Sequence, residues 1–168
     1  GVTDVVFRSI CKELGADVMV TEFVSAEGII RQDDRTRKYT EFTDEQRPCG
    51  VQIFGGDGER MGEAAKKIID WKQPDFIDIN FGCPVNKVVA KNGGSSLLKN
   101  CKTLASVASG VARAVGDQVL LGLRLPGPAV RHHHELRSHR VRASDRAEAR
   151  RLEPSAPAAA YFSRKLNR

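Results

Sequence analysis

Apolar residues recur along this chain in two rhythms, one helical and one of short continuous runs. Val5, Val6, Ile10 and Leu14 fall at helical spacing behind Thr3 and Asp4, either of which can cap a first turn, and Gly15 supplies a stop. A helix is therefore predicted through residue 14. Residues 17–24 and 50–54 are short runs rich in β-branched and apolar side chains and are predicted as buried strands. Between them, residues 31–47 are dense in charge and Thr without a clean period and are predicted as mostly loop. Helical spacing returns at Met61, Ala64, Ala65, Ile68 and Ile69 within residues 57–71, and a strand is predicted over 76–80. Leu98, Leu104, Val107, Ala108, Val111 and Val115 then stripe a helix over 97–115, ahead of a strand over 119–123.

Strand, helix and strand in repeated alternation imply an α/β fold with a parallel sheet covered by helices. The alternation stops after Arg124. Beyond it Pro, Ala, Arg and His dominate, and a stretch over 137–152 that could form a basic helix has mostly Ala to bury. The expected organisation is a folded domain over 1–124 and a basic tail over 125–168, disordered or aberrant in sequence.

Charge sharpens that division. The net charge is +6, yet residues 1–124 carry 17 Lys/Arg against 17 Asp/Glu, so the excess lies wholly in the tail. The four cysteines, Cys11, Cys49, Cys83 and Cys101, form no C-x-x-C pair and have no His near them, which argues against a disulfide framework or a zinc site. A reducing cytoplasm fits that usage. No apolar run approaches the roughly 18 residues of a membrane span, so neither a membrane nor a metal is expected as a partner.

Chemistry concentrates where the strand over 76–80 ends. The stretch Asp78-Ile79-Asn80-Phe81-Gly82-Cys83-Pro84 carries a buried strand directly into a turn with a thiol. In parallel α/β sheets ligands bind at the C-terminal edge, which favours a functional Cys83, although a lone cysteine at a turn also fits a small buried hydrophobe. Gln52 interrupts an apolar strand with an amide that must find partners, from a ligand or from neighbouring backbone. Asn80 and Glu22 pose the same question at the ends of their strands. Lys87 and Lys91 add positive charge in the sequence after Cys83, and Gly93-Gly94-Ser95-Ser96 offers either an anion-binding loop or an ordinary helix start. Cys11 fits core or a partly exposed helix, and Cys49 and Cys101 have no comparable setting.

Taken together, Gly1-Val2-Thr3-Asp4, Phe7-Arg8, Val20-Thr21-Glu22, Val51-Gln52-Ile53 and Asp78 through Pro84, followed by Lys87-Val88 and a Gly-Ser loop, resemble the bacterial-type tRNA-dihydrouridine synthases in order and spacing from residue 1 to about 121. The resemblance implies a (βα)8 TIM barrel that binds FMN, a helical C-terminal domain that helps hold tRNA, and NADPH as the reductant. The reaction it implies is saturation of the C5–C6 bond of selected tRNA uridines to give 5,6-dihydrouridine. Carried over residue by residue, the catalytic cysteine falls on Cys83, the flavin-contacting glutamine on Gln52 and the substrate-side asparagine on Asn80. Hydride delivery to C6 builds negative charge toward C5, which a thiol, mostly protonated at neutral pH, can quench with a proton. The target base must leave its stack, so folded tRNA is the implied partner.

The departures carry expectations of their own. The family's opening strand, ending Pro-Met-Ala, does not precede Gly1, and its flavin-contacting lysine falls on Gly122. Nor do the later strands, the histidine or the phosphate-binding glycines of the family follow Arg124. With 168 residues against the roughly 250 of a complete barrel, the expectation is about the first half of one, inactive or barely stable by itself. The alternative function is non-catalytic RNA binding through the tail, with Arg137, Arg140, Arg142, Arg150 and Arg151 giving a steep salt dependence.

Overall fold

A computed structural model of the chain describes residues 2–124. The expected basic tail, its helix over 137–152 included, lies outside the described residues.

Asp4 caps the first helix, α1 (Val5–Glu13), by accepting the N–H of Phe7 at 2.8 Å. Its spacing is as predicted, but its orientation is not. Val6, Ile10 and Leu14 face outward, 68%, 49% and 83% exposed, while Arg8 is buried. The helix docks through a polar seam: Arg8 Nε donates to Gln46 Oε1 at 3.2 Å, and Gln46 Nε2 donates to the Val5 carbonyl and to Ser9 Oγ. The Arg8 guanidinium also donates to the carbonyls of Thr3 and Glu41. Periodicity identifies an apolar stripe but not what lies opposite it, and here neutral oxygens on the facing segments made the polar face the buried one.

The single strand expected over 17–24 is interrupted, giving β1 (Met19–Val20) and β2 (Val24–Ser25). Both pair in parallel with β3 (Cys49–Phe54), yet the register changes by one between them: Val20 faces Gly50, whereas Val24 faces Ile53. One extra residue has therefore been inserted on this side, the mark of a β-bulge. The bulge is held by Thr21, whose N–H donates to the Gly50 carbonyl at 3.0 Å and whose hydroxyl accepts the N–H of Gln52 at 3.3 Å. Glu22 beside it accepts the N–H groups of Val2 and Thr3 at 2.6 and 3.0 Å.

A short helix, α2 (Ala26–Ile30), follows β2 directly, and the stretch expected as mostly loop, 31–47, contains a second, α3 (Asp34–Tyr39), and a 3-10 turn, Asp44–Gln46. Ser25 and Asp33 cap the two helices through their side chains. Elements of one or two turns give too few repeats for a hydrophobic period to register. Next comes α4 (Gly58–Lys72), capped by Asp57, with Met61, Ala64, Ala65, Ile68 and Ile69 buried as their spacing predicts. Strand β4 (Phe76–Asn80) keeps its predicted bounds.

A short helix, α5 (Asn86–Val89), and a 3-10 turn, Gly94–Lys99, precede α6 (Cys101–Val115). The helix expected from residue 97 thus begins later, because the Asn100 side chain accepts the N–H of Thr103 and restarts the chain. Last comes β5 (Leu120–Arg124).

The sheet runs β1-β3-β4-β5, with β2 also on β3, and every pairing is parallel. Strands that follow one another in space as in sequence carry their connecting helices on one face when the crossovers keep one hand, as parallel connections as a rule do. Val51, Ile53, Ile77 and Ile79 pack there against Met61, Ile68, Val107 and Val111. This winding is that of a partial TIM barrel. Among the described residues no helix is long and apolar enough to cross a membrane.

Candidate functional site

Alternation along β3 and β4 sends Val51, Ile53, Ile77 and Ile79 to the helices and Gln52, Asp78 and Asn80 to the opposite face. Gln52 and Asp78 are directly opposed across the two strands, and Asp78 is opposed in turn to Gly122 on β5. All three polar side chains are buried, with Gln52, Asp78 and Asn80 only 6%, 6% and 4% exposed.

They satisfy one another. Gln52 Nε2 donates to Asp78 Oδ2. Asn80 Nδ2 donates to Gln52 Oε1 at 3.1 Å, and Asn80 Oδ1 accepts the backbone N–H groups of Gly82 and Cys83 at 3.0 and 2.9 Å. The three expected site residues, Gln52, Asn80 and Cys83, are thereby joined in one hydrogen-bonded array at the C-terminal edge of the sheet. Cys83 itself is half-buried and forms no disulfide.

A second loop fastens the Cys83 turn. The Ser95 N–H donates to the Cys83 carbonyl at 3.0 Å. Gly94 sits at φ +58, and a Cβ there would lie 2.5 Å from the same carbonyl oxygen. Only glycine tolerates both that backbone region and that approach. Of the two readings open for the Gly-Gly-Ser-Ser segment, an anion loop or a helix start, the geometry fits the helix start, since a 3-10 turn begins at Gly94 with Gly93 at its cap. The Ser95 N–H is spent on the chain itself, and the Ser96 hydroxyl donates to the Gly93 carbonyl at 2.7 Å.

Lys91 and Lys87 are exposed. Lys91 lines a hollow with Glu27, Asp57 and Arg60 beyond the ends of β2 and β3. There Arg60 holds Glu27 in a two-pronged ion pair, each N···O distance 2.8 Å, and the Arg60 hydrogen bond keeps the Glu27 carboxyl below its ordinary range. Burial raises the Glu22 carboxyl, but the N–H groups of Thr3 and Val2 outweigh it and leave the group lowered. Cys49, which has no evident setting in the sequence, is a fully buried core residue whose thiol burial pushes up to about 11. Cys101 is exposed at the start of α6.

Three contributors are not singled out by the sequence. Asp78 does leave a signal, since it shares the alternation phase of Asn80 in an otherwise apolar strand. Gly94 is visible only as part of a flexible loop. Thr21 leaves none, because its role depends on a bulge that local sequence does not announce.

A parallel sheet wound in chain order, with its polar side chains gathered at the C-terminal edge, defines the barrel class of α/β proteins. Within that class, the family described as dihydrouridine synthase (Dus) matches residues 1–137. The chain belongs to the dihydrouridine synthase family. It is similar over 124 residues to tRNA-dihydrouridine synthase B of Pseudomonas aeruginosa, 38% identical, covering 74% of this chain and 37% of that protein. Against tRNA-dihydrouridine synthase B of Proteus vulgaris the identity is 40% over 124 residues, 74% of this chain and 38% of the relative. A probable tRNA-dihydrouridine synthase of Aquifex aeolicus is 42% identical over 98 residues, 58% of this chain and 30% of its own length. The chain thus spans roughly a third of the curated relatives it matches.

Proposed function

We propose that this chain carries the catalytic thiol and part of the flavin and uridine site of an FMN-dependent enzyme that reduces tRNA uridine to 5,6-dihydrouridine, with NADPH as reductant. The observation that carries the reading is the array Asp78, Gln52, Asn80 and Cys83 at the edge of the sheet where parallel α/β proteins bind ligands.

The residues present fit a flavin. Gln52 spends one N–H on Asp78 and one lone pair on Asn80, which leaves a second N–H and a second lone pair on one amide. A flat ring whose edge alternates donors and acceptors suits that amide. Gly122, where the resemblance leads one to expect a lysine, adds no charge to the same row. When bound, FMN would supply the hydride that saturates the uracil ring.

This chain's own residues bind, orient and protonate. Asn80 holds the Cys83 turn while its side chain stays within the polar row, and Cys83 presents S–H as the donor for C5 of the base. The cysteine proton leaves with the product, so the thiol must be regained from solvent before the next turnover. The names of the relatives support tRNA as the substrate class.

Two measurements test this. FMN titrated into the purified chain, followed by flavin fluorescence, should saturate only if the described half of the barrel holds the ring unaided. Residues 1–121 should then replace the matching segment of the Pseudomonas aeruginosa relative, and tRNA treated with this chimera, FMN and NADPH should gain the mass of two hydrogens per modified uridine. Cys83→Ala in the chimera should lower that yield by about two orders of magnitude, the usual worth of a positioned acid. A chimera that modifies tRNA equally well with alanine at 83 would refute the assignment of the thiol.

A further inference from the structure

We infer that Asp78 is a positioning residue for Cys83 and acts through a polarised chain of two amides. The inference rests on the reading of Cys83 as the proton donor, but its geometry stands by itself.

The chain has fixed ends. Gln52 turns its Nε2 toward Asp78, whose carboxylate form offers only acceptors. That choice leaves Gln52 Oε1 facing Asn80, which must answer with Nδ2 at 3.1 Å. Asn80 Oδ1 is thereby committed to the N–H groups of Gly82 and Cys83 at 3.0 and 2.9 Å. Backbone N–H groups only donate, so the far end is fixed as well. Between an acceptor-only head and a donor-only foot, each amide has one orientation that leaves no like groups facing each other.

Burial gives the arrangement its force. Gln52, Asp78 and Asn80 are all at most 6% exposed, so a reversed amide would place two N–H groups or two carbonyls together with little water to separate them. The bond to a carboxylate is also stronger than one between neutral groups. Asp78 therefore resists reversal of Gln52, and through it of Asn80, without touching Cys83. The turn leaving β4 is closed by a single acceptor atom, Asn80 Oδ1, that serves two consecutive N–H groups. Any loss of its orientation frees both at once and leaves the turn tied only from the other side, by the Ser95 N–H on the Cys83 carbonyl.

The test moves the carboxylate along the chain. Asp78→Ala removes the head, and Gln52→Glu combined with Asp78→Ala restores an acceptor-only group one link further down, still opposite Asn80 Nδ2. Asp78→Asn keeps a neutral acceptor. Amide hydrogen exchange at Gly82 and Cys83 is read in the full 168-residue chain, together with the pH profile of Cys83 alkylation by iodoacetamide. Neither measurement uses flavin or tRNA, so the outcome is independent of whether the proposed reaction occurs.

Exchange at both amides should rise about tenfold in Asp78→Ala, the loss expected for a freed hydrogen bond, and return to within a few-fold of the parent in the double variant. Asp78→Asn should lie between. The alkylation profile of Cys83 should shift in Asp78→Ala and return in the double variant. Unchanged exchange in Asp78→Ala would overturn the inference, and so would a double variant as fast as the single one. If Asp78→Ala does not fold, the double variant decides alone: native protection at Gly82 and Cys83 supports the inference, and an unfolded or unprotected double overturns it.

Discussion

The hydroxyl of Thr21 takes the backbone N–H of Gln52 at 3.3 Å, standing in for the strand carbonyl that the bulge has carried out of register. A side chain on one strand thus completes the ladder of its neighbour directly beneath the amide proposed to meet the flavin. Thr21→Val keeps the shape and deletes the acceptor, leaving a buried N–H without its partner. It should cost about 1–3 kcal/mol in urea unfolding, and Thr21→Ser should recover most of that. Equal stability of the valine and serine variants would show that the hydroxyl does not sustain the bulge.

Gly94 meets the Cys83 carbonyl from the left-handed region of the backbone. Gly94→Ala should cost about 1–2 kcal/mol for the conformation alone, with a further penalty for the contact at 2.5 Å. The local consequence should exceed the global one. Alkylation of Cys83 should accelerate while the thermal midpoint moves by only a few degrees, and an unchanged alkylation rate would show that the loop does not hold the thiol.

Arg8 is buried with its guanidinium shared among Gln46 Oε1 and the carbonyls of Thr3 and Glu41, and burial lowers its pKa. Lysine cannot reproduce a planar fork that serves three directions. Arg8→Lys should therefore destabilise by about 2 kcal/mol or more and Arg8→Ala further, as partners are left unsatisfied. A chemical melt of the three proteins checks the order.

The four thiols should separate by accessibility. Ellman's reagent should react first with exposed Cys101, more slowly with half-buried Cys11 and Cys83, and with Cys49 only on unfolding. Cys49 also predicts an alkaline limb. Its folded pKa, pushed up to about 11 by burial, exceeds the roughly 8.5 of a free thiol, so unfolding releases a proton at high pH. Its contribution is intact below about pH 8.5 and is lost as pH rises toward 11. Cys49→Ala should flatten the fall of stability across that window, whatever it costs at neutral pH. An equally steep limb in the variant would assign the fall to other groups.

Elements with several turns or a continuous apolar run are legible in the amino-acid sequence. Helix α4, strand β4 and strand β5 lie within a residue or so of their expected bounds, because each holds enough apolar positions for its period to register. Helices α2, α3 and α5 are not legible in this way, since they span one or two turns and are defined by caps and contacts. The start of α6 differs from its expected place for a related reason: Leu97 and Leu98 extend the apolar pattern, but the Asn100 cap decides where the α-helical hydrogen bonds begin.

By itself the sequence determined the α/β class, the winding and the family resemblance, and it singled out Gln52, Asn80 and Cys83 as candidates. Those features are carried by local period and by short motifs whose order and spacing can be read along the chain. Only the tertiary structure decided that α1 buries Arg8 and exposes Val6, Ile10 and Leu14, that a bulge at Thr21 shifts the register beside Gln52, and that Asp78 heads the amide chain leading to Cys83. The physical reason is common to all three. Each depends on which buried donor meets which acceptor across segments 26 to 38 residues apart, and that matching does not exist until the segments pack.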